Sequence, residues 1–450
     1  MSRLNYFFEK KFIYRNILVV IFFLFCYSNV YATRNTSRYF PFLERTESYI
    51  LKGRSHIAPA LFFTRASGAY KRGGGDTGIP ELYGSYDLKD IICSLQAVQG
   101  SSFVNPIEQE RGPNDIWLNK SIVYKVGGKL KSVGLTLPYE QILKYGFSAG
   151  FFLPVMHVNG SCHFNFSSKD SDSVFNNLRI GEYNQLDRIR RSVNEDLDLN
   201  GGNWSKTGIG DLDLHLKFDH NWKYVLLMRR IDLAIQAGVI CPTGTKSDNK
   251  YASSVSFMGD GHWGMYLDAI TELELKRGWK AGFLAGFAYQ FGNTRKLRIP
   301  VYQENALFSA LIRDVKTKPG ITFKLSPYAQ IDNFAQGFNF QFRYTFLKHN
   351  ADKYYDNNSD STVQSYLQRQ PGTYGSYNLT EENISENKAY KSGLTRWSEH
   401  YLSFELSYDS LQGGNNWFMD PVVFALLDYQ VNGNSVCKTH QFSLGVELHF

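Results

Sequence analysis

One short segment places a potential nucleophile near a potential base: His157-Val158-Asn159-Gly160-Ser161. In an extended strand, His157 and Ser161 project from the same face, because successive side chains alternate between the two faces. Hydrolysis by a serine also needs an acid that orients the histidine, and no such acid lies near this pair. The Gly-Asp-Gly-His run at 259–262 has the character of a loop turn. We therefore predict no catalytic residues, and we expect the chain not to be an enzyme.

The motifs that could hold a cofactor or a metal are incomplete. Gly73-Gly74-Gly75 lacks the strand and the helix that a phosphate-binding loop requires, and no zinc pattern or dinucleotide fingerprint occurs. The spacing of Cys93, Cys162, Cys241 and Cys437 matches no metal site. These cysteines either form one or two disulfides or remain free thiols, and their spacing does not decide between the two. We predict no cofactor and no metal.

Ionisable side chains recur at alternate positions of otherwise apolar segments. So many charges cannot be buried in a dry core without partners, so they line water or neutralise one another across an interior. The net charge of +7 is spread along the chain without a Lys/Arg run, so nucleic acid is not an expected partner. The residues that we predict to line a polar lumen are Asp213, His215, Lys217, Arg230, Asp232, Asp268, Glu272, Glu274, Lys324, Asp332, Arg343, Glu399, Glu405 and Glu447.

These residues belong to segments that alternate apolar and polar side chains, which is typical of strands. In Gly337–Leu347, for example, Phe338 and Phe340 face one way, whereas Gln341 and Arg343 face the other. Short and long connections alternate along the chain, which puts the long loops at one end of the sheet. The predicted strands are Ile116–Val126, Lys129–Pro138 (after a Gly127-Gly128 turn), Tyr145–Val155, Asp211–Asn221, Arg229–Cys241, Trp263–Lys276, Trp279–Gly292, Ile321–Asn333, Gly337–Leu347, Trp397–Ser410, Trp417–Gln430 and Gln441–Phe450.

The last of these strands ends on an aromatic carboxy-terminal residue. It resembles the closing strand of bacterial outer-membrane β-barrels, whose terminal aromatic is part of the signal that the insertion machinery reads. Aromatic residues make up 16% of the chain, which suits the aromatic girdles that such barrels need at both membrane interfaces. We expect this strand to pair with Trp417–Gln430 and with a first barrel strand near Ile116. Its apolar face consists of Phe442, Leu444, Val446, Leu448 and Phe450.

An open sheet in lipid would leave its edge amides without partners, so these strands must close on themselves. The sequence therefore predicts an all-β fold, a transmembrane antiparallel β-barrel of about twelve strands, or fourteen, with an N-terminal plug-like region. The mean hydropathy of −0.33 gives no sign of a stack of membrane-spanning helices. The expected location is the bacterial outer membrane, and the expected partners are its lipids, the barrel-insertion machinery and a small-molecule solute.

The amino terminus has the pattern of a secretory signal peptide over residues 1–32. Basic residues precede an apolar run from Ile17 to Tyr27, and cleavage is expected after Ala32. Residues 33–113 are then expected to form an N-terminal plug or a periplasmic region. The transmembrane barrel is assigned to residues 114–450.

The region at 33–113 differs from the rest of the chain because its residues alternate poorly. It contains one predicted helix, from Leu88 to Val98, with Asp87 as its N-cap. A strand around His56 to Arg65 is also compatible with its pattern. Folding inside the barrel, a periplasmic extension and a pair of extra strands all remain open.

Three Gly-rich segments carry a further resemblance: Gly208-Ile209-Gly210-Asp211-Leu212, Pro242-Thr243-Gly244 and Gly259-Asp260-Gly261-His262-Trp263-Gly264. A Gly-x-Gly-Asp opening with a Pro-Thr-Gly exit resembles the barrel family that includes long-chain fatty-acid transporters and uptake channels of aromatic-degradation pathways. The resemblance covers roughly residues 205–345 and the terminal strand. It implies a hatch formed by the amino-terminal region and a hydrophobic small-molecule cargo. The insertion at 158–207 departs from that family.

A closed barrel with a polar interior is compatible with three functions. The first is a channel or transporter for passive uptake of small solutes, hydrophobic ones included. The second is a structural or adhesive surface protein, which the long polar loops at 158–207 and 349–396 suggest. The third is an outer-membrane lipase, although such lipases carry a His-x-Ser-Asn segment and the order at His157–Ser161 differs. We predict the channel.

Overall fold

The computed structural model describes residues 37–43, 45, 55–225, 228–301, 304–356, 391–414 and 419–450. The predicted signal peptide at 1–32 lies outside the described residues, as does Trp417 at the start of a predicted strand. Within the described ranges, no helix is long and apolar enough to cross a membrane.

Twelve antiparallel strands, numbered β1 to β12 in chain order, close into a barrel. Each strand pairs with the next along the chain. The last strand returns to the first, where Phe442 faces Phe63 and Leu444 faces Leu61. The prediction of an all-β antiparallel barrel is therefore confirmed. The strands are β1 (Ala60–Tyr70), β2 (Val123–Ile142), β3 (Phe147–Phe166), β4 (Leu212–Val225), β5 (Met228–Cys241), β6 (Gly264–Lys276), β7 (Trp279–Gln290), β8 (Thr322–Ala335), β9 (Phe338–His349), β10 (Trp397–Asp409), β11 (Val422–Asn434) and β12 (Val436–His449).

Shorter elements extend the barrel wall and fill its connections. His56–Ile57 precedes β1 and pairs with both β2 and β12, and Asn203–Ile209 precedes β4 and pairs with β3. The other short strands are Asp76–Thr77, Tyr86–Asp87, Asn293–Ile299, Leu311–Lys318 and Lys353–Asp356. The α-helices are α1 (Leu88–Gln99), α2 (Pro106–Arg111) and α3 (Ile180–Asp196), and the 3₁₀ turns are Pro80–Tyr83, Gly100–Ser102, Ile116–Asn119 and Ser173–Phe175.

The barrel closes at a different place from the one that the sequence suggested. Its first strand is β1, which lies within the region assigned to a plug, so the barrel begins at Ala60 rather than at residue 114. The predicted pairing of the closing strand near Ile116 is wrong, since Ile116 begins a 3₁₀ turn. The strand count stays at twelve because β1 replaces the short strand predicted before the two glycines.

Gly127 and Gly128 lie inside β2 and do not form the predicted turn. A side chain on Gly127 would collide with the His163 ring, and one on Gly128 would meet Pro80 at 2.9 Å. Glycine in a strand often marks such a close approach by a neighbouring group. This pair therefore makes room for Pro80 and for the His163 ring of β3, rather than reversing the chain.

The connections from β1 to β11 alternate in length, as predicted, but Ser435 alone joins β11 to β12 at the end opposite the carboxy terminus. The other short turns lie at the same end as the carboxy terminus, where the Phe450 backbone N–H donates to the Ser55 carbonyl at 2.9 Å. In outer-membrane barrels the short turns face the periplasm and the long loops face outward. The long connections lie at the other end of this barrel and span residues 71–122, 167–211, 242–263, 291–321 and 350–396.

Helices α1 and α3 pack with aromatic side chains beyond the outer ends of β2 and β3. Asp87 accepts a hydrogen bond from the Lys89 backbone N–H at 3.0 Å, so the predicted N-cap of α1 is confirmed. The Tyr86 ring makes edge contacts with Phe308 at 4.8 Å and with Phe164 at 5.1 Å between ring centres. Residues 71–122 therefore contribute a cap at the outer end of the barrel.

The outward-facing side chains of the strands are apolar. On β12, Phe442 and Leu444 are 43% and 48% exposed, whereas Gln441 and Ser443 are buried. A closed barrel leaves no edge amide in lipid, and an apolar outer face with aromatic girdles suits the bilayer. The chain is a transmembrane β-barrel of the bacterial outer membrane. Exposed aromatic residues lie near the short-turn end at Phe147, Trp222, Trp279, Phe334, Phe338 and Phe450, and near the outer end at Trp263, Phe291 and Tyr429.

Candidate functional site in the barrel lumen

The ionisable residues predicted to line the lumen lie on the inward face of the barrel wall. On β4, His215 is buried between the exposed side chains of Leu214 and Leu216. Arg230 and Asp332, near the short-turn end, are half-buried. The buried members of the set are Asp213, His215, Lys217, Asp232, Asp268, Glu272, Glu274, Lys324, Arg343, Glu399, Glu405 and Glu447.

Many of these side chains neutralise one another along the inner face of the wall, within a strand or between nearby strands. Lys217 binds Glu140 in a fully buried pair, and Glu140 also accepts from the Ser148 hydroxyl at 2.5 Å. Burying a charge is costly unless it is paired and hydrogen-bonded, so these pairs keep the polar interior compatible with the fold. Further pairs are His215 with Asp213 at 2.9 Å, Arg230 with Asp232 at 2.6 Å, Lys280 with Glu272 at 3.3 Å and with Asp332 at 2.9 Å, and Arg343 with Asp428 at 3.6 Å.

Four charged partners of the predicted residues escaped the sequence analysis. Lys280 and Asp428 lie on the polar faces of predicted strands, so the alternation that found the other residues could have found them. Glu140 lies beyond Pro138, where the sequence ended the strand too early. Arg45 belongs to a segment without alternation, and nothing in its local sequence indicates that it enters the barrel.

The amino-terminal residues 37–43 and 45, hereafter the inner segment, lie inside the barrel. Its side chains pack against the inward faces of β1 to β3. The Phe42 ring meets Phe62 edge-on at 5.3 Å and Phe152 at 6.3 Å between ring centres. Phe40 is 1% exposed. Burial of these aromatic side chains gives the inner segment a stable apolar contact with one wall.

Arg45 fastens the inner segment to the adjoining part of the wall, on β10 and β12. Its guanidinium donates to Glu405 Oε1 from Nε at 2.8 Å and from Nη2 at 2.5 Å, and from Nη1 to Glu447 Oε2 at 2.6 Å. The same group lies 3.8 Å from the centre of the Phe424 ring. Arg45, Glu405 and Glu447 are all buried. Charge-assisted bonds of this fork geometry are among the strongest in proteins.

A cavity of about 180 Å³ lies on the outer side of the inner segment and is lined in part by Arg38, Tyr83, Tyr354 and Trp397. The Arg38 guanidinium stacks 4.3 Å from the Tyr83 ring centre and donates to the Leu394 carbonyl at 3.1 Å. This outer cavity therefore combines aromatic walls with a buried cation.

Three further cations line the outer cavity, and of these Arg295 is paired with Asp260, whereas Arg298 and Lys391 bind carbonyl oxygens. Arg298 donates to the carbonyls of Leu197, Ser309 and Asn249 at 2.7, 2.8 and 2.9 Å. Lys391 donates to the Arg298 carbonyl, and its Nζ lies 5.3 Å from the Tyr354 ring centre. Burial lowers the pKa of Lys391 to about 7 and that of Arg298 to about 10. Carbonyl oxygens satisfy these donors without cancelling their charge.

A smaller cavity of about 80 Å³ lies on the periplasmic side of the inner segment. Phe42, Leu43 and Arg45 line it from the segment, and Glu140 and His215 line it from the wall. The inner segment therefore lies between an outer and an inner cavity.

The Gly-rich segments that carried the family resemblance meet around one buried carboxylate. Asp211 accepts from the backbone N–H groups of Gly244 and Gly259, each at 2.8 Å, through different oxygens. The Thr243 hydroxyl joins the same network by donating to the Gly210 carbonyl at 3.0 Å. These motifs therefore tie the connection between β5 and β6 to the start of β4, which is a structural role at the outer rim.

The candidate catalytic pair does not meet in the structure. His157 Nδ1 lies 2.8 Å from the Thr207 hydroxyl, and its Nε2 lies 3.3 Å from the Ser205 hydroxyl. Ser161 instead pairs with Asn203 in the neighbouring strand. His262 Nδ1 bonds to the Phe291 carbonyl at 2.9 Å.

The four cysteines of the described chain are free thiols. Burial raises the pKa of the Cys93 thiol to about 11. Of the two outcomes that the spacing left open, the structure shows the unpaired one.

No protein-family model and no curated protein matches the sequence. Solved barrels are similar in part. An outer membrane channel from Pseudomonas putida F1 shares 9% identity at a TM-score of 0.47, covering 91% of this chain and 100% of that one. A Pseudomonas aeruginosa FadL homologue shares 10% sequence identity at a TM-score of 0.31, covering 88% of this chain and 90% of that one. A TodX monoaromatic hydrocarbon channel variant shares 8% sequence identity at a TM-score of 0.33, covering 90% of this chain and 92% of that one.

Proposed function

We propose that the chain is an outer-membrane channel that takes up small solutes passively, hydrophobic ones included. The observation that carries this proposal is the pair of cavities on either side of the inner segment, within a closed barrel of polar interior. A structural barrel needs neither cavity, since packed side chains would stabilise it better.

The inner segment is the gate in this proposal. It is held by aromatic packing against β1 to β3 and by the bonds of Arg45 to β10 and β12. A solute that enters the outer cavity reaches the inner one when the segment moves aside. This assigns the plug role to residues 37–45, while residues 71–122 belong to the outer cap.

The lining of the outer cavity indicates the class of solute. Tyr83, Tyr354 and Trp397 offer flat apolar surface, Arg38 donates to a backbone carbonyl, and Lys391 is charged below a pH of about 7. Aromatic faces and buried cations together suit a small molecule with an apolar body and an anionic group. We expect such solutes to bind in preference to neutral sugars.

The closing strand carries the proposed partner site for the barrel-insertion machinery. Phe442, Leu444 and Phe450 are exposed on the outer face of β12. Val446 and Leu448 lie on the same face by alternation.

The two other functions, an adhesive surface protein and a lipase, are less well supported, because the cavities are not needed for adhesion and Ser161 does not contact His157.

The test uses purified full-length protein in liposomes and in planar bilayers. We expect slow solute uptake by the wild type and a large rise in conductance when residues 37–45 are deleted. A matched control deletes an equally long stretch of the sequence within 357–390, and we expect its conductance to equal that of the wild type. Absence of conductance and of solute uptake in both the wild type and the 37–45 deletion would refute the channel.

A further inference from the structure

Three side chains of metal-ligand type meet inside the barrel at its closing seam. His56 and His449 are direct cross-strand partners, and Glu447 lies two residues before His449 on the same face of β12. One ligand atom from each of the three side chains can be chosen so that all lie within 4.8 Å of one another. Their exposed fractions are 7%, 7% and 2% for His56, His449 and Glu447.

Arg45 orients one of the three potential ligands, Glu447. Glu447 Oε2 accepts from Arg45 at 2.6 Å, while its other oxygen, Oε1, lies 3.3 Å from His449 Nε2. A carboxylate that binds a metal through one oxygen commonly has its other oxygen held by a hydrogen bond. Arg45 therefore fixes the carboxylate and leaves Oε1 directed at the histidines.

Carboxylates surround the cluster. Glu405 and Glu447 both bind Arg45, and Glu140 lines the same inner cavity as His56. A divalent cation would interact favourably with these carboxylates, and a proton competes with it for the imidazole nitrogens.

We propose that His56, Glu447 and His449 form a binding site for a divalent transition metal of the zinc class. Two imidazoles and one carboxylate are a ligand set that suits Zn²⁺ and Co²⁺, with ligand distances of about 2.0–2.2 Å. Small side-chain rotations would bring each of the three ligand atoms within that distance of one ion. The fourth position faces the inner cavity, which His56 lines, and takes water there.

The location gives the metal a structural consequence. His56 precedes β1, whereas the other two ligands belong to β12, so the ion links the first and last strands where the barrel closes. Metal bound only by the folded protein raises its stability by mass action. The inference does not depend on transport, since it concerns closure of the wall.

The experiment titrates Co²⁺ into the full-length protein in detergent after treatment with a chelator. We expect one equivalent to produce the visible absorption of four-coordinate Co²⁺, and Zn²⁺ to displace it. His449→Ala and Glu447→Gln should each abolish this absorption. His157→Ala is the matched control, because His157 lies on the outer face of β3 bonded to Thr207, and it should bind Co²⁺ as the wild type does.

A change in electrophoretic mobility on heating the sample shows whether each variant has folded into a closed barrel. Zn²⁺ should raise the melting temperature of the wild type and of His157→Ala, with no rise for His449→Ala. If a variant fails to form a barrel, the test uses the wild type alone. Its Co²⁺ absorption should then fade as the pH falls through the range in which histidines take up a proton, about 6.5. A wild type without Co²⁺ absorption, or folded His449→Ala that retains it, overturns the proposal.

Discussion

Replacing Arg45 with methionine should open the barrel. Methionine keeps much of the apolar stem but removes all three hydrogen bonds to Glu405 and Glu447. Those carboxylates are 3% and 2% exposed, so they would remain buried without their shared cation. Breaking a buried ion pair by removing one partner costs about 3–5 kcal/mol.

The protein can avoid that cost if the inner segment leaves and water reaches the carboxylates. A cost of about 3–5 kcal/mol shifts the equilibrium between seated and displaced segment by roughly 100- to 5,000-fold, at about 1.36 kcal/mol for each factor of ten. The aromatic packing of Phe40 and Phe42 opposes this shift. We therefore expect Arg45→Met to raise the open fraction by at least about tenfold.

Single-channel recording in planar bilayers measures this fraction, with a chelator present so that no metal compensates Glu447. Adding Glu405→Gln and Glu447→Gln to Arg45→Met removes the unpaired charges and should return the channel toward the closed state. Lys217→Met is the matched control, because it leaves Glu140 unpaired without touching the inner segment. Equal conductance in wild type and Arg45→Met, with both barrels closed on gels, would show that Arg45 does not hold the gate.

Three further outcomes are expected. Lys217→Met should lower the free energy of unfolding in urea by about 3–5 kcal/mol, and a second change, Glu140→Gln, should recover much of it; no loss in the single variant would contradict the buried pair. Deleting Phe450 should reduce the amount of barrel in the outer membrane, measured by fractionation, while leaving the conductance of inserted molecules unchanged; normal insertion would argue against the terminal signal. An aromatic carboxylate should bind the outer cavity more tightly as pH falls through about 7, because Lys391 is charged below that pH, and Lys391→Met should remove the change in fluorescence titrations.

The direction of this pH dependence follows from the charged groups around Lys391. Burial and the nearby Arg295 lower the pKa of Lys391, whereas Asp352 and Asp260 oppose that shift. The cavity therefore gains positive charge as the lysine takes up a proton, and an anionic ligand gains with it. His262 and His349 also line the cavity, so Lys391→Met is needed to assign the pH dependence.

The alternation of side chains located most of the barrel strands from sequence. Asp211–Asn221, Arg229–Cys241 and Trp279–Gly292 each lie close to β4, β5 and β7. The same alternation put the fourteen interior candidates on one face. It failed at β1 because the surrounding region is irregular, and at Gly127-Gly128 because glycine serves either a turn or a close approach. Local pattern does not distinguish those two uses.

The sequence by itself determined most of the strand segments, which of their faces meet lipid and at which end most of the long loops gather. These properties depend on neighbours two residues apart, so they can be read from a short window. Only the tertiary structure decided that β12 closes on β1, that Arg45 enters the lumen and that His56 meets His449. Arg45 is 402 residues from Glu447 and 360 from Glu405, so these contacts depend on closure of the whole barrel, which no local pattern contains.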